Sequence, residues 1–76
     1  MTELFQIVVY KSPTDYPDQF VARKWNISRQ GAIPTDTMVA DSDYESVSKW
    51  IHGNFPALYR MEPSEQDDPS IYEVWI

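Results

Sequence analysis

Segment 61–76, M-E-P-S-E-Q-D-D-P-S-I-Y-E-V-W-I, constrains the fold more than any other part of the sequence. An acidic stretch bracketed by Pro63 and Pro69 runs directly into five large apolar side chains within six residues. A chain of 76 residues buries only about 60% of its unfolded surface, so it has little capacity to leave such a run in water. The segment therefore predicts an exposed acidic loop over 63–70 and a strand from Ile71 to Ile76.

Composition and charge narrow the class of protein. Hydrophobic residues make up 42% of the chain, which is enough for the core of one domain over residues 1–76. The formal net charge of -6 opposes direct binding to nucleic acid and to anionic membrane, because both depend on Lys and Arg. It favours a basic protein partner, or an acidic surface that serves only solubility.

Compartment and cofactor signals are few. The chain has no cysteine, which excludes disulfides and Cys-based metal sites. It begins without a signal-peptide pattern and holds no apolar stretch of membrane-spanning length. We expect a cytoplasmic protein without cofactor or metal.

Periodicity and breakers predict a β-β-β-α-β-β order. Segment 12–18 reads as a loop, and segment 29–36 as a turn and loop, because prolines and aspartates punctuate them. The fold class is therefore α+β: a single antiparallel sheet of four to five strands with one helix packed on one face. The predicted strands are Leu4 to Lys11, Phe20 to Ser28, Thr37 to Ala40, Ala57 to Glu62 and Ile71 to Ile76, and the helix is Asp41 to His52.

The helix carries its own start and stop signals. Ser42 followed by Glu45 three residues later predicts a capping box. The spacing of Tyr44, Val47, Trp50 and Ile51 predicts the face that packs on the sheet. Gly53 is expected as a left-handed C-cap.

Four pieces of the sequence together resemble a known group of proteins. They are F-V-A-R-K-W at 20–25, M-V-A-D at 38–41, L-Y-R at 58–60 and D-D-P-S-I-Y-E-V-W-I at 67–76. The chain resembles a small bacterial and phage family with a D-D-P-x-I-x-E-V-W-type segment. The resemblance implies a compact α+β domain of prokaryotic or viral origin, and it implies no activity and no catalytic residues.

Catalytic and metal-binding patterns are weak. Ser48 and His52 lie one helical turn apart, but no oxyanion loop or third member accompanies them, and a cation suits a helix C-terminus in any case. The alternating acids Asp41, Asp43 and Glu45 lack the glycine and the later glutamate of a calcium loop. We therefore expect no enzyme activity.

Two arginines on strands raise a different question. Arg23 shares a strand face with Val21 and Trp25, and a buried guanidinium requires a carboxylate partner. Arg60 raises the same question, and Glu73 on the adjacent strand is its candidate partner. The alternative is that Arg23, Trp25 and Arg60 form a binding face, since Arg and Trp are enriched at binding hot spots.

The hypothesis favoured by the sequence is a small acidic protein-interaction module, either an adaptor or an inhibitor, that binds a basic protein surface. Acidic residues would steer the partner and aromatic side chains would anchor it. The alternatives are a nucleic-acid mimic that blocks a DNA- or RNA-binding protein, and self-association through a sheet edge to give a homodimer. The candidate binding residues are Glu62, Glu65, Asp67, Asp68, Tyr16, Trp25 and Trp75.

Overall fold

The computed structural model describes residues 4–63 and 69–76. Within them, the antiparallel sheet has the strand order β3-β2-β1-β5-β4, with the helix packed against one face. The predicted α+β fold is confirmed. The elements are β1 (Phe5–Lys11), β2 (Phe20–Ser28), β3 (Gly31–Asp41), α1 (Tyr44–Asn54), β4 (Arg60–Met61) and β5 (Ile71–Trp75).

The core lies between the sheet and α1. Val47 and Ile51, one helical turn apart, are both fully buried, so the predicted apolar stripe does face the sheet. Opposite them, Ile7, Val9 and Ala22 are also fully buried. Burial of an aliphatic side chain of Val or Ile size stabilises the fold by about 1.5–3 kcal/mol.

The N-terminus of α1 differs from the prediction. The N-cap is Asp43, whose Oδ1 accepts a hydrogen bond from the Glu45 amide at 3.1 Å. Asp41 Oδ1 in turn accepts from the Asp43 amide at 2.8 Å. The capping box at Ser42 is wrong, because an aspartate caps a helix as well as a serine does and lies one residue later. Two of the three acids considered as a calcium loop, Asp41 and Asp43, thus hold the helix start.

The helix also ends later than expected. Gly53 lies inside α1 without a positive φ, and the C-cap is Phe55, whose amide donates to the Ile51 carbonyl at 2.7 Å. The ring of Phe55 packs against those of Phe5 and Trp50, at centroid distances of 5.3 and 5.7 Å. These aromatic contacts fix the chain beyond Gly53, so the glycine is not needed as a left-handed cap.

Strand β3 is much longer than the predicted Thr37 to Ala40. It begins at Gly31, directly after a two-residue turn, and runs to Asp41. Pro34 pairs with Trp25 within it. A proline fits there because β3 is at the sheet edge, where no further strand needs its missing amide.

Strand β4 is shorter than the predicted Ala57 to Glu62. Only Arg60 and Met61 are assigned to it, although Tyr59 and Ile76 exchange two backbone hydrogen bonds that extend the β4–β5 pairing. The predicted antiparallel pairing of the last two strands is confirmed. In the part of the chain that the structure describes, no helix is long and apolar enough to cross a membrane.

Candidate functional site

The strand register divides the sheet into two faces. Side chains alternate along a strand, and directly paired residues lie on the same face. Ile7, Val9 and Ala22 pack against α1, so their face is the helix face. Val8 is paired with Arg23 on one side and with Val74 on the other, and these three residues lie on the opposite face, called here the open face.

The open face carries a series of exposed apolar side chains. Met61 pairs with Val74, and Tyr59 and Ile76 lie two residues further along the same face. Tyr59 is 77% exposed, and Leu4, next to Ile27 across β1 and β2, is 66% exposed. An exposed apolar surface on one side of a small domain is typical of an interaction site. Its exposed members are Leu4, Ile27, Tyr59, Met61 and Ile76.

The β1–β2 loop folds back towards this face. The amide of Tyr16 donates to the Pro13 carbonyl at 2.9 Å, and the Ser12 amide donates to the Gln19 carbonyl at 2.8 Å. Ser12 and Asp18 take positive φ angles of 51° and 62°, which reverse the chain at both ends of the loop. The loop thereby places Pro13 and Tyr16 in the wall of a pocket beside Val21.

This pocket has a volume of about 150 Å³ and combines aromatic walls with two opposite charges. Arg23 supplies a guanidinium and Asp15 a carboxylate, and the two form no ion pair. The pocket is therefore amphipathic and holds charged groups of both signs. It is lined by Tyr10, Pro13, Asp15, Tyr16, Val21, Arg23 and Trp25.

The polar atoms of Arg23 and Trp25 are incompletely satisfied. Arg23 Nη2 donates to the sulfur of Met38 at 3.0 Å, a weak acceptor. Arg23 Nε and Trp25 Nε1 are both buried without a hydrogen-bond partner. An unpaired buried donor costs about 1–3 kcal/mol. The expected carboxylate partner for Arg23 is not found among the described residues.

Glu73 provides a contrast on the helix face. It is 1% exposed, and its Oε1 accepts from the Tyr44 hydroxyl at 2.6 Å and from Trp75 Nε1 at 2.9 Å. Arg60 Nη1 approaches its Oε2 at 3.5 Å, which confirms the predicted Arg60–Glu73 pair. Burial, then the hydrogen bond to Glu73 and its charge, raises the pKa of Tyr44 to about 12. The Tyr44 hydroxyl is therefore a persistent donor, and the cluster joins α1, β4 and β5.

The predicted binding residues separate into three groups. Tyr16 and Trp25 meet at the pocket, as two members of one site. Glu62 is exposed and lies 3.9 Å from Arg60 Nη2. Glu65, Asp67 and Asp68 lie outside the described residues.

Trp75 is not the exposed anchor that the sequence suggested. It is only 5% exposed, packs in the core and binds Glu73. That expectation is wrong because Trp75 pairs with Ile7 on the helix face, where α1 covers it. His52, exposed at the helix end, lies edge-on to the Trp75 ring at 5.0 Å.

Sequence reasoning did not identify Asp15, Tyr10 and Pro13 as site residues. Pro13 and Asp15 are ordinary loop residues in the sequence, and the spacing of the loop does not determine which side chains it places beside Tyr16 on the sheet. The shared face of Arg23 and Trp25 was the one usable signal.

Comparisons with protein-family models, with curated proteins and with solved structures find no match to this chain.

Proposed function

We propose that this chain is a small acidic protein-interaction module, without catalytic activity, that docks a protein partner on the open face. The observation that carries the proposal is the set of exposed apolar side chains on the sheet face opposite to α1. Exposed aromatic and Met side chains are typical anchors at interfaces, and Tyr59 and Met61 supply them.

The charge distribution supports a basic partner. Lys11 and Lys24 lie on the helix-face side of the register, and Lys49 lies on α1. Arg23, which is partly buried, is the cation that the register places on the open face. With a net charge of -6 for the whole chain, long-range attraction favours a partner whose apolar centre is surrounded by Lys and Arg.

The acidic residues favour this role over nucleic-acid mimicry. Mimicry requires closely spaced carboxylates that follow the phosphate spacing. In the described residues Asp18 lies in a loop, Asp36 on β3 and Asp43 at the start of α1, while Glu73 is buried. Such dispersed acids suit general steering of a basic protein.

The test compares two exposed surfaces of the same molecule. A double variant, Tyr59→Ser with Met61→Ser, removes anchors from the open face. The matched control is Ile33→Ser, because Ile33 is 50% exposed and pairs with Asn26 on the helix-face side of the register. A protein captured by the wild type and by the Ile33 variant, and lost by the double variant, supports the proposal once purified and measured in direct titration.

Charge is tested on the same complex. Replacing Glu62, Glu65, Asp67 and Asp68 by the corresponding amides should slow association and weaken its dependence on salt, since these acids are expected to steer a basic partner. A partner that binds the double variant as tightly as the wild type refutes docking on the open face. A concentration-dependent dimer that the double variant abolishes would instead assign this face to self-association.

A further inference from the structure

We propose that the pocket between the β1–β2 loop and the open face binds a small zwitterion with an apolar body, of the class of a free α-amino acid with an aromatic or branched side chain. This inference goes beyond the proposed docking function and does not depend on it, because its residues are distinct from Tyr59 and Met61.

Two unpaired hydrogen-bond donors belong to residues that line this pocket. Arg23 Nε and Trp25 Nε1 are buried without acceptors, and both residues line the cavity. A carboxylate is the acceptor that suits a guanidinium best, because its two oxygens match the parallel N–H groups. A ligand carboxylate would remove the cost of unpaired burial that the free protein carries at these atoms.

The same cavity also contains a negative charge. Asp15 lines the pocket, is exposed and forms no ion pair with a described cation. A simple anion would be repelled by Asp15 and by the net charge of -6. A ligand that carries an ammonium beside its carboxylate satisfies Asp15 and Arg23 together and enters without net charge.

The size of the pocket and the chemistry of its walls suit an apolar ligand body. Tyr10, Tyr16 and Trp25 supply aromatic surface to a pocket of about 150 Å³. A cavity of roughly that volume accommodates benzene. Aromatic walls with a few placed polar groups are the usual composition of a small-molecule site.

The donors are shielded in this conformation, so the ligand must displace part of the wall. We expect Tyr16 to move, because it lies on a loop and is 37% exposed. Val8 and Val21, which lie on strands of the open face, are each only 4% exposed. Binding should therefore change the environment of Tyr16 more than that of the strands.

The ligand series is the primary experiment. L-phenylalanine is titrated into the full chain by NMR, beside phenylalaninamide, which lacks the carboxylate, and 3-phenylpropanoate, which lacks the ammonium. We expect shifts centred on Trp25 Nε1–H and Tyr16, and weakening of about tenfold or more for each analogue, since each loses a charged hydrogen bond. L-leucine is the branched-chain probe.

Matched variants locate the site. Arg23→Met and Asp15→Asn should each weaken L-phenylalanine binding by about tenfold or more. Two control variants should leave the affinity within about twofold. They are Lys24→Gln, since Lys24 is next to Arg23 but on the other face, and Asp18→Asn, since Asp18 is in the same loop but outside the pocket lining. Asparagine suits the positive φ of Asp18.

Every outcome decides the proposal. The proposal is overturned if neither L-phenylalanine nor L-leucine binds up to its solubility limit. It is also overturned if L-phenylalanine and both analogues bind equally, or if the folded Arg23→Met variant keeps its affinity for L-phenylalanine. If Arg23→Met fails to fold, the ligand series on the wild-type chain still discriminates. Loss of partner docking in the Tyr59 and Met61 variant with intact L-phenylalanine binding separates the two functions.

Discussion

Replacing Glu73 by Gln isolates the contribution of the one fully buried carboxylate in the described part of the chain. The substitution keeps the shape and an acceptor oxygen, and it removes the charge. Tyr44 and Trp75 both donate to Oε1, and Arg60 approaches Oε2. All three interactions weaken together, while the packing of the helix face changes little.

The magnitude follows from the three contacts. A hydrogen bond to a charged group contributes about 1.5–3 kcal/mol, and one to a neutral group about 0.5–1.5 kcal/mol, so each of the two bonds to Oε1 loses about 1 kcal/mol. The Arg60 side chain is 55% exposed, which limits its pair to about 0–1 kcal/mol. Reduced desolvation of the neutral amide offsets part of the loss. We expect a net destabilisation of about 2 kcal/mol, equivalent to about 8–16 °C in Tm.

The assay is urea or thermal unfolding at neutral pH, monitored by far-UV circular dichroism. Glu62→Gln is the matched control, because Glu62 also approaches Arg60 but is exposed, and its removal should change stability by less than about 0.5 kcal/mol. A double-mutant cycle with Tyr44→Phe should give a coupling energy of about 0.5–3 kcal/mol.

Two results would contradict a stabilising role for the Glu73 cluster: a Glu73→Gln loss no larger than that of Glu62→Gln, or a cycle without coupling between Glu73 and Tyr44. The first result would mean that burial of the carboxylate already offsets the bonds it accepts. The second would mean that the hydrogen bond between Tyr44 and Glu73 adds no net stability.

Three further predictions concern the helix, the glycines and the pH dependence. Asp43→Ala should cost about 1 kcal/mol in thermal unfolding and Asp43→Asn only a few tenths, because asparagine also caps the helix; equal losses would argue against the cap. Gly53→Ala should stabilise by about 0.5–1 kcal/mol, since nothing lies within 4 Å of an added Cβ, whereas Gly31→Ala should destabilise because Gly31 has φ 113°. Absorbance titration should show Tyr44 ionising near pH 12. Stability should fall between pH 10 and 12, because the unfolded Tyr44 releases its proton near 10 and the folded one does not; Tyr44→Phe should remove that fall.

The parts of the fold that sequence predicted are those with strong local periodicity. The helical stripe that includes Val47 and Ile51 determines the face of α1 that packs on the sheet. The Arg60–Glu73 pair followed from placing two strands in a hairpin. In each case the pattern along the chain carries the information, and packing follows it.

The errors arise where tertiary contact overrides a local signal. Pro34 predicts a loop, but the strand tolerates it because β3 is at the edge of the sheet. Trp75 lies in a strand with apolar residues on both sides, so its alternation does not reveal which face α1 covers. The pocket depends on how the β1–β2 loop packs onto the two strands that it connects, and of the lining residues the sequence groups only Arg23 and Trp25 on one face.

The two strand arginines also show how hydrogen bonding separates a structural charge from a binding one. Arg60 reaches the solvent and pairs with Glu73, whose carboxylate also accepts from Tyr44 and Trp75. Arg23 has a sulfur atom for one nitrogen and no partner for Nε. An apolar side chain of similar length would fill that volume without an unpaired donor, so Arg23→Met should leave stability unchanged or raise it by about 1–3 kcal/mol. Stability alone gives no reason for an arginine at this position. Binding of a ligand through the guanidinium does give such a reason. Denaturant unfolding of Arg23→Met would test the expected stability, and titration of the same variant with L-phenylalanine would test the expected loss of binding.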